Sequence, residues 1–316
     1  MRRPVLLAFA LATIAFVAVP TTEAKVNGKV QGSVIQIAPA PATSISPIVL
    51  GVSSAHAAAT AASLVHSPLV LVARTSQIVA ASGASAGVTL IELGGTNPMA
   101  WNYDGGDVFT AASTYKLVAL MMEAQNIAAG QTDPTGLVCY QEGDYEDGWF
   151  DDYQDGACFT RDELAWRAGI KSDNTAGHML VRDLGGSDAL NAWAAAHGAK
   201  SSAFFAGNTT TSNDLAALWA AEAQGQLGGG AAQAWLYPLL TGTATEGGVP
   251  AGAGTGATVV HKTGVLDQEV NDAALVRSGN KTYVLTVMTD GLPGSDGWQL
   301  IASISAEVQQ FEESRP

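Results

Sequence analysis

The sequence has few of the residues that metal sites and disulfide scaffolds require. Only two of its 316 residues are cysteine, too few for several disulfides or for a four-thiolate zinc site. Its five histidines show none of the close spacings, such as H-x-H or H-x-x-x-H, that bring two metal ligands together. We therefore predict a protein that uses neither a metal ion nor another cofactor.

Basic residues are scarce as well. Fifteen Lys and Arg stand against 29 Asp and Glu, which gives a net charge of −14. This balance repels a phosphate backbone, so nucleic acid is excluded as a partner. Hydrophobic residues make up 47% of the chain, enough to build one large or two modest domains with a real core. We expect a monomer that binds a small molecule or a peptide.

The apolar run near the N-terminus is short. Residues 5–19 follow Arg2 and Arg3 and hold about fifteen apolar residues, fewer than the ~20 that span a bilayer. Small residues at 22–24 then offer a cleavage site. We predict a signal peptide over residues 1–24 and therefore a secreted or periplasmic protein. A second short apolar segment, at residues 48–52, leaves a later start of the mature chain open.

Composition divides the remainder of the chain in two. Residues 25–65 are rich in Ala, Ser, Val and Pro without helical or strand periodicity, which predicts a linker. Residues 66–316 alternate periodic segments with turn signals, so we predict a single folded domain there.

The periodic segments predict an α+β fold. A helix over 68–82 precedes a strand over 87–93, whose hairpin partner lies at 99–103. Six helices follow, over 117–127, 160–168, 174–184, 187–197, 212–224 and 231–240. Three strands, over 258–262, 272–277 and 282–289, precede a closing helix over 297–312. We expect an antiparallel sheet flanked by N- and C-terminal helices, with an inserted all-helical subdomain.

A first candidate motif is Ser113-Thr114-Tyr115-Lys116. The S-x-x-K spacing is weak evidence alone, and a second copy occurs at 278–281. The first copy opens a predicted helix, so Ser113 and Lys116 would share one helix face. A serine hydroxyl needs a base, and a buried lysine beside a second cation has a lowered pKa that suits this task. In isolation, a surface lysine on a first helical turn is the alternative.

Two further motifs follow in the chain. Ser172-Asp173-Asn174 lies at the start of a helix, where capping alone would also favour these residue types. Lys262-Thr263-Gly264 lies on a predicted edge strand. The order S-x-x-K, S-D-N and K-T-G, on a helix start, a helix-start loop and a strand, is the signature of class A β-lactamases and penicillin-binding proteins.

On these motifs the sequence resembles the class A β-lactamase-like serine hydrolases over residues 68–316. The order and spacing of further segments agree with the family: 163–164, 175–176, 184–186, 209–211 and 271–272. The resemblance implies that Ser113 is the acylated nucleophile and Lys116 its base or proton relay. It also implies that Ser172 passes a proton to the leaving nitrogen.

The resemblance implies substrate contacts too. Asn174 would bind the substrate amide, and the strand carrying Lys262, Thr263 and Gly264 would hold the substrate carboxylate. The backbone N–H groups of Ser113 and Val265 would form the oxyanion hole. The expected substrates are β-lactams or peptides that end in D-alanyl-D-alanine.

One segment departs from the family. Class A β-lactamases carry a glutamate that activates the deacylating water in an Ω-shaped loop, whereas residues 198–207 here contain no Glu or Asp but do contain Phe204 and Phe205. An acyl-enzyme without such a base should hydrolyse slowly, unless Lys116 compensates. The leading interpretation is a β-lactam-opening hydrolase with doubtful deacylation. A D-alanyl-D-alanine peptidase or slow penicillin-binding protein, and a non-catalytic sensor domain, stay open.

Cys139 and Cys158 bracket an acidic, aromatic stretch. In an exported protein we expect them to form a disulfide, which would stabilise the fold by ~3 kcal/mol on the chain-entropy model. Two unpaired core cysteines are the alternative. An aromatic such as Tyr145 or Trp149 could form a wall of the active-site pocket, or the stretch could be a solvated acidic lid.

Overall fold

The computed structural model describes residues 67–95 and 97–315. The predicted signal peptide (1–24) and linker (25–65) lie outside the described residues. Within the described ranges, no helix is both long enough and apolar enough to cross a membrane.

Nine helices and nine strands make up the described part of the chain, together with short 3₁₀ turns. The helices are α1 (Pro68–Ser82), α2 (Tyr115–Ala128), α3 (Arg161–Ile170), α4 (Asn174–Asp183), α5 (Gly186–Ala196), α6 (Ser212–Ala223), α7 (Gly229–Leu236), α8 (Val249–Ala253) and α9 (Gly294–Ser314). The strands are β1 (Ser85–Glu92), β2 (Ala100–Tyr103), β3 (Phe109–Thr110), β4 (Leu137–Cys139), β5 (Cys158–Thr160), β6 (Thr209–Thr210), β7 (Ala257–Leu266), β8 (Glu269–Ser278) and β9 (Lys281–Asp290).

Five of these strands form one antiparallel sheet in the order β2-β1-β9-β8-β7. One hydrophobic core joins a face of this sheet to α1 and α9, and contains Leu71, Leu90 and Ile301. A second core lies around α2, whose Leu117, Val118 and other side chains are fully buried. Residues 117–121 of α2 are apolar on every side of the helix and are buried, which places this part of α2 inside the helical part. The predicted α+β architecture is confirmed.

The structure refines several boundaries. β7 runs to Leu266, four residues beyond the predicted strand end, so the whole K-T-G motif lies within it. The two-stranded pairs β3–β6 and β4–β5, and the five-residue helix α8, were not predicted, because such short elements carry no readable period.

One side chain caps the start of α3. Thr160 Oγ1 accepts a hydrogen bond from the backbone N–H of Glu163, whereas the Glu163 carboxylate binds Arg167.

The pairing of β4 with β5 sets Cys139 opposite Cys158, and a disulfide joins them, as predicted.

Candidate active site

Ser113 lies in a 3₁₀ turn, Ala112–Thr114, that leads directly into α2. The turn is held from two sides. Asn271 of β8 donates from Nδ2 to the carbonyl oxygen of Thr110 at 2.9 Å, and the backbone N–H of Ala111 donates to the carbonyl oxygen of Asn208 at 2.8 Å. Ala112 has a positive φ of 48°, a conformation that costs a non-glycine residue free energy. The sheet and the segment before β6 together fix the position of the serine.

Lys116 lies one helical turn after Ser113 and is fully buried. Its Nζ lies 2.9 Å from Ser113 Oγ, 2.6 Å from Asn174 Oδ1 and 2.6 Å from the carbonyl oxygen of Ser172. Gly177 of α4 leaves room for it, since a Cβ there would lie 2.8 Å from Lys116 Cε. The structure therefore brings the first two motifs together around one amino group.

Ser172 connects this amino group to the third motif. Its Oγ accepts a hydrogen bond from Lys262 Nζ at 2.8 Å and lies 3.5 Å from Lys116 Nζ. Ser172 has a φ of 57°, and strain of this kind is frequent where a side chain must be aimed. Two buried lysines thus share one serine hydroxyl.

Burial disfavours the charged form of both lysines. It lowers the pKa of Lys116 to about 7, and the carboxylates of Asp173 and Glu146 oppose this shift only in part. Burial also lowers the pKa of Lys262 well below its ordinary value, and the charge of Lys116 lowers it further. The sequence predicts burial and a second cation as joint causes of the lowered pKa of Lys116. In the structure burial is the main cause for Lys116, and the second cation acts on Lys262.

The edge strand β7 lies against the serine turn. Gly264 makes this approach possible, because a Cβ there would lie 2.8 Å from the carbonyl oxygen of Ala111 and 3.0 Å from the backbone nitrogen of Ser113. Lys262 and Thr263 are buried on this strand, while Val265 is exposed at the cavity that also contains Ser113. The backbone of Ser113 and the residues around Val265 therefore border one space.

The opposite wall of this cavity is mostly aromatic. Phe205 has a φ of 66°, and its ring packs edge-on against Tyr115 and His178 at centroid distances of 5.3 and 5.0 Å. Asn191 fixes the segment by bonding both the N–H and the carbonyl oxygen of the neighbouring residue Phe204. Asn208 also lines the cavity, and its Oδ1 is buried without a hydrogen-bond partner among the described residues.

The disulfide-closed stretch is anchored to α4. Asp173 accepts hydrogen bonds from the backbone N–H of Trp149 and the hydroxyl of Tyr153, at 3.0 and 2.6 Å. Tyr145 and Trp149 are exposed, and neither lines the cavity. Glu146 does line it. The expected aromatic wall from this stretch is therefore wrong, whereas the exposure of Glu146 and of most neighbouring residues agrees with the alternative of a solvated acidic lid.

Sequence reasoning missed Glu146 and His178. Glu146 reaches the cavity because Thr175 Oγ1 bonds both its backbone N–H, at 3.0 Å, and its carbonyl oxygen, at 2.8 Å. His178 reaches it because it follows Asn174 by one turn of α4. The spacing of Asn174 and His178 was readable in the sequence, whereas no motif marks Glu146.

Comparison with known proteins identifies the family of the chain. Residues 71–311 match the beta-lactamase enzyme family. The chain belongs to this family. Its motifs and its fold are those of a class A β-lactamase-like serine hydrolase. No curated protein sequence matches the chain.

Solved structures extend the similarity to the full domain. A mutant of PBP-A, solved as an acyl-enzyme complex with penicillin G, is 28% identical with a TM-score of 0.72; the match covers 78% of this chain and 98% of that one. A β-lactamase from Sphaerobacter thermophilus is 26% identical with a TM-score of 0.69, over 77% of this chain and 98% of its own. A β-lactamase from Burkholderia phymatum, at 22% identity and a TM-score of 0.68 over 76% of this chain and 97% of its own, shares the fold.

Proposed function

We propose that this protein is an exported serine hydrolase that opens β-lactam amides through an acyl-enzyme on Ser113. The observation that carries the proposal is the contact of Ser113 Oγ with Lys116 Nζ at 2.9 Å, together with burial that lowers the pKa of this lysine to about 7. A lysine with such a pKa is substantially neutral at neutral pH and can accept a proton.

The proposed reaction begins when Ser113 Oγ attacks the carbonyl carbon of the amide. The hydroxyl proton moves to the neutral amine of Lys116. The carbonyl oxygen gains negative charge, which the backbone N–H groups of Ser113 and Val265 stabilise. When the C–N bond breaks, a proton reaches the leaving nitrogen from Ser172, whose hydroxyl is replenished from the lysines that contact it. The product is an ester on Ser113, and in a β-lactam the new amine stays joined to it through the rest of the opened ring.

Binding of the substrate follows from the same side chains. Lys262 lies beside Thr263 on β7 and suits an anionic carboxylate, while Asn174 has an amide group at the opposite end of the polar network. We propose these residues, with Gly264 allowing β7 to approach, as the substrate-binding groups.

We propose slow deacylation. The segment 198–207 contains no carboxylate, and Phe205 occupies the cavity wall beside Ser113. Asn208 Oδ1, which is buried without a partner in the described ranges, could hold a water by a hydrogen bond but cannot take its proton. The same features favour a second candidate function, a D-alanyl-D-alanine peptidase or slow penicillin-binding protein, because that activity needs the acylation groups but no class A glutamate.

Intact-mass spectrometry of the protein mixed with benzylpenicillin tests the proposal. We expect an adduct of one drug molecule that persists in the native protein and is absent in Ser113→Ala. Ser278→Ala, in the second S-x-x-K copy, is the matched control and should be labelled normally. A persistent adduct favours the peptidase or penicillin-binding function, and a fleeting adduct with drug consumption favours a β-lactamase. Absence of both adduct and consumption would contradict the proposal and favour a non-catalytic sensor.

A further inference from the structure

Glu146 places a carboxylate inside the candidate active-site cavity. Among the described residues that line this cavity it is the one acidic side chain, and its side chain is 53% exposed. Its backbone is fixed by Thr175, so the carboxylate is presented from an anchored position. It belongs to none of the three motifs that carry the proposed acylation.

The Glu146 carboxylate accepts a hydrogen bond from the Asn174 side-chain amide, which a substrate carbonyl would also need as a donor. Asn174 Nδ2 donates to Glu146 Oε1 at 2.8 Å and to the carbonyl oxygen of Asp147 at 3.3 Å, while Asn174 Oδ1 accepts from Lys116. Both N–H bonds of this amide are therefore used within the protein. A substrate carbonyl that binds Asn174 must take an N–H away from Glu146 or from Asp147.

His178 contacts the other oxygen of the same carboxylate. His178 Nε2 lies 3.0 Å from Glu146 Oε2, and Nδ1 lies 3.1 Å from the carbonyl oxygen of Asp144. Because a carbonyl oxygen only accepts, Nδ1 carries a proton. Glu146 Oε2 accepts hydrogen bonds, so this position of the carboxylate requires a hydrogen-bond donor or a cation.

An ammonium group on the substrate would meet this requirement. When the substrate amide displaces Glu146 from Asn174, the carboxylate loses a hydrogen-bond donor, and an ammonium group beside the amide replaces that donor with a charged one. A substrate without the cation leaves the carboxylate less well satisfied. The net charge of −14 on the chain acts in the same direction on approaching cations.

We propose that Glu146 makes this site select acyl donors whose side-chain amide has a primary ammonium group on the carbon next to its carbonyl. The inference rests on the proposed function and names its preferred substrate class. Asn174 binds the amide oxygen, and Glu146 binds the ammonium group, with His178 as the competing partner of the carboxylate.

Ampicillin and benzylpenicillin are the probes for this inference, since ampicillin differs only by an ammonium group on the carbon next to the side-chain carbonyl. The measurement is the second-order rate constant of acylation for each drug, taken from intact-mass time courses. In Glu146→Gln we expect the ratio of ampicillin to benzylpenicillin to fall about tenfold, which corresponds to about 1.4 kcal/mol. Most of the change should be in the ampicillin rate.

Two other variants sharpen the test. Glu142→Gln makes the same charge change at an exposed position of the same stretch and should leave the ratio unchanged. His178→Gln removes the competing partner and should keep the ratio at or above the native value.

The outcomes separate the two proposals. An unchanged ratio in Glu146→Gln, or an equal fall in Glu142→Gln, would overturn the assignment while acylation by benzylpenicillin still upheld the proposed function. Failure of both drugs to form an adduct with the native protein would overturn the proposed function and this inference with it.

Discussion

On one side of Ser113, Lys116, Ser172, Asn174 and Lys262 form a continuous hydrogen-bonded network, which we call the polar wall. On the other side, Tyr115, Phe205 and Ala206 form what we call the apolar wall. Acylation requires proton transfer between serine, lysine and the leaving nitrogen, for which the polar wall is equipped. Hydrolysis of the ester requires a base facing a water, which the apolar wall does not provide. The two half-reactions therefore have separate structural requirements and can change independently.

Replacing Lys116, the central base of the polar wall, should have the largest effect on a reaction rate. In Lys116→Met we expect acylation by benzylpenicillin to slow about 10³-fold, because general-base catalysis supplies about 10²–10⁴. Stopped-flow or intact-mass kinetics would measure it. The matched control is Lys171→Met, which removes a nearby lysine that stacks on Trp149 instead of joining the network.

The pH dependence of the native protein tests the same residue. With the pKa of Lys116 at about 7, the neutral fraction and hence the acylation rate should rise about tenfold from pH 6 to pH 8 and then level off. A rate that is constant over this range, or acylation of Lys116→Met at the native rate, would show that Lys116 is not the base and that the polar wall does not supply the proton transfer.

Adding a carboxylate base to the apolar wall should have the next largest effect, on the lifetime of the acyl-enzyme. In Phe205→Glu we expect the adduct lifetime to fall about 10²-fold, since a positioned carboxylate contributes at least this factor to water activation. Phe205→Leu is the control. Both variants keep a non-glycine side chain at φ 66°, so backbone strain is matched between them. The measurement is the decay of the benzylpenicillin adduct by mass spectrometry.

The decay rates discriminate between two explanations of ester hydrolysis. A long-lived native adduct that Phe205→Glu shortens means that the apolar wall lacks the base for this step. If the native adduct already decays quickly and Phe205→Glu changes nothing, the polar wall serves both half-reactions, with Lys116 as the compensating base. The two walls would then differ in packing but not in which half-reaction they support.

The polar wall could be predicted from the sequence because it is encoded by short spacings. Ser113 and Lys116 are one helical turn apart, and Asn174 begins a helix whose cap, Asp173, is itself part of the motif. The assignment of Lys262 to an edge strand followed from its period. The roles of these residues stay proposals, but their meeting in space is observed.

The rest of the site depends on tertiary contacts between segments without a common period. Glu146 reaches the cavity through Thr175, 29 residues away, and Phe205 through packing against Tyr115 and His178. Neither contact leaves a spacing signal in the sequence. The absence of a carboxylate in 198–207 was readable, whereas the identity of the side chain that lines the cavity instead was not.

The smallest effect on the reaction is expected for His261, which should instead make the free energy of unfolding depend on pH. His261 is buried next to Lys262 in the chain, with Nδ1 2.8 Å from Asp272 Oδ1 and Nε2 3.1 Å from Glu246 Oε1. Burial opposes its charge, but Asp272 and Glu246 outweigh burial and raise the pKa of His261 to about 9. A raised pKa stabilises the folded state below the unfolded value of about 6.5, and this stabilisation is lost as pH rises through about 9.

The contribution of His261 must be isolated, because the lowered pKa values of Lys116 and Lys262 act with the opposite sign as pH rises. We therefore compare the free energy of unfolding, from urea titrations, of the native protein and His261→Gln at pH 6, 8 and 10. The destabilisation by His261→Gln should be largest at pH 6 and shrink by on the order of 3 kcal/mol by pH 10. His197→Gln, at a partly exposed histidine, is the control for the removal of an imidazole ring. A destabilisation by His261→Gln that does not vary with pH would mean that His261 is neutral in the folded protein, and would contradict the prediction.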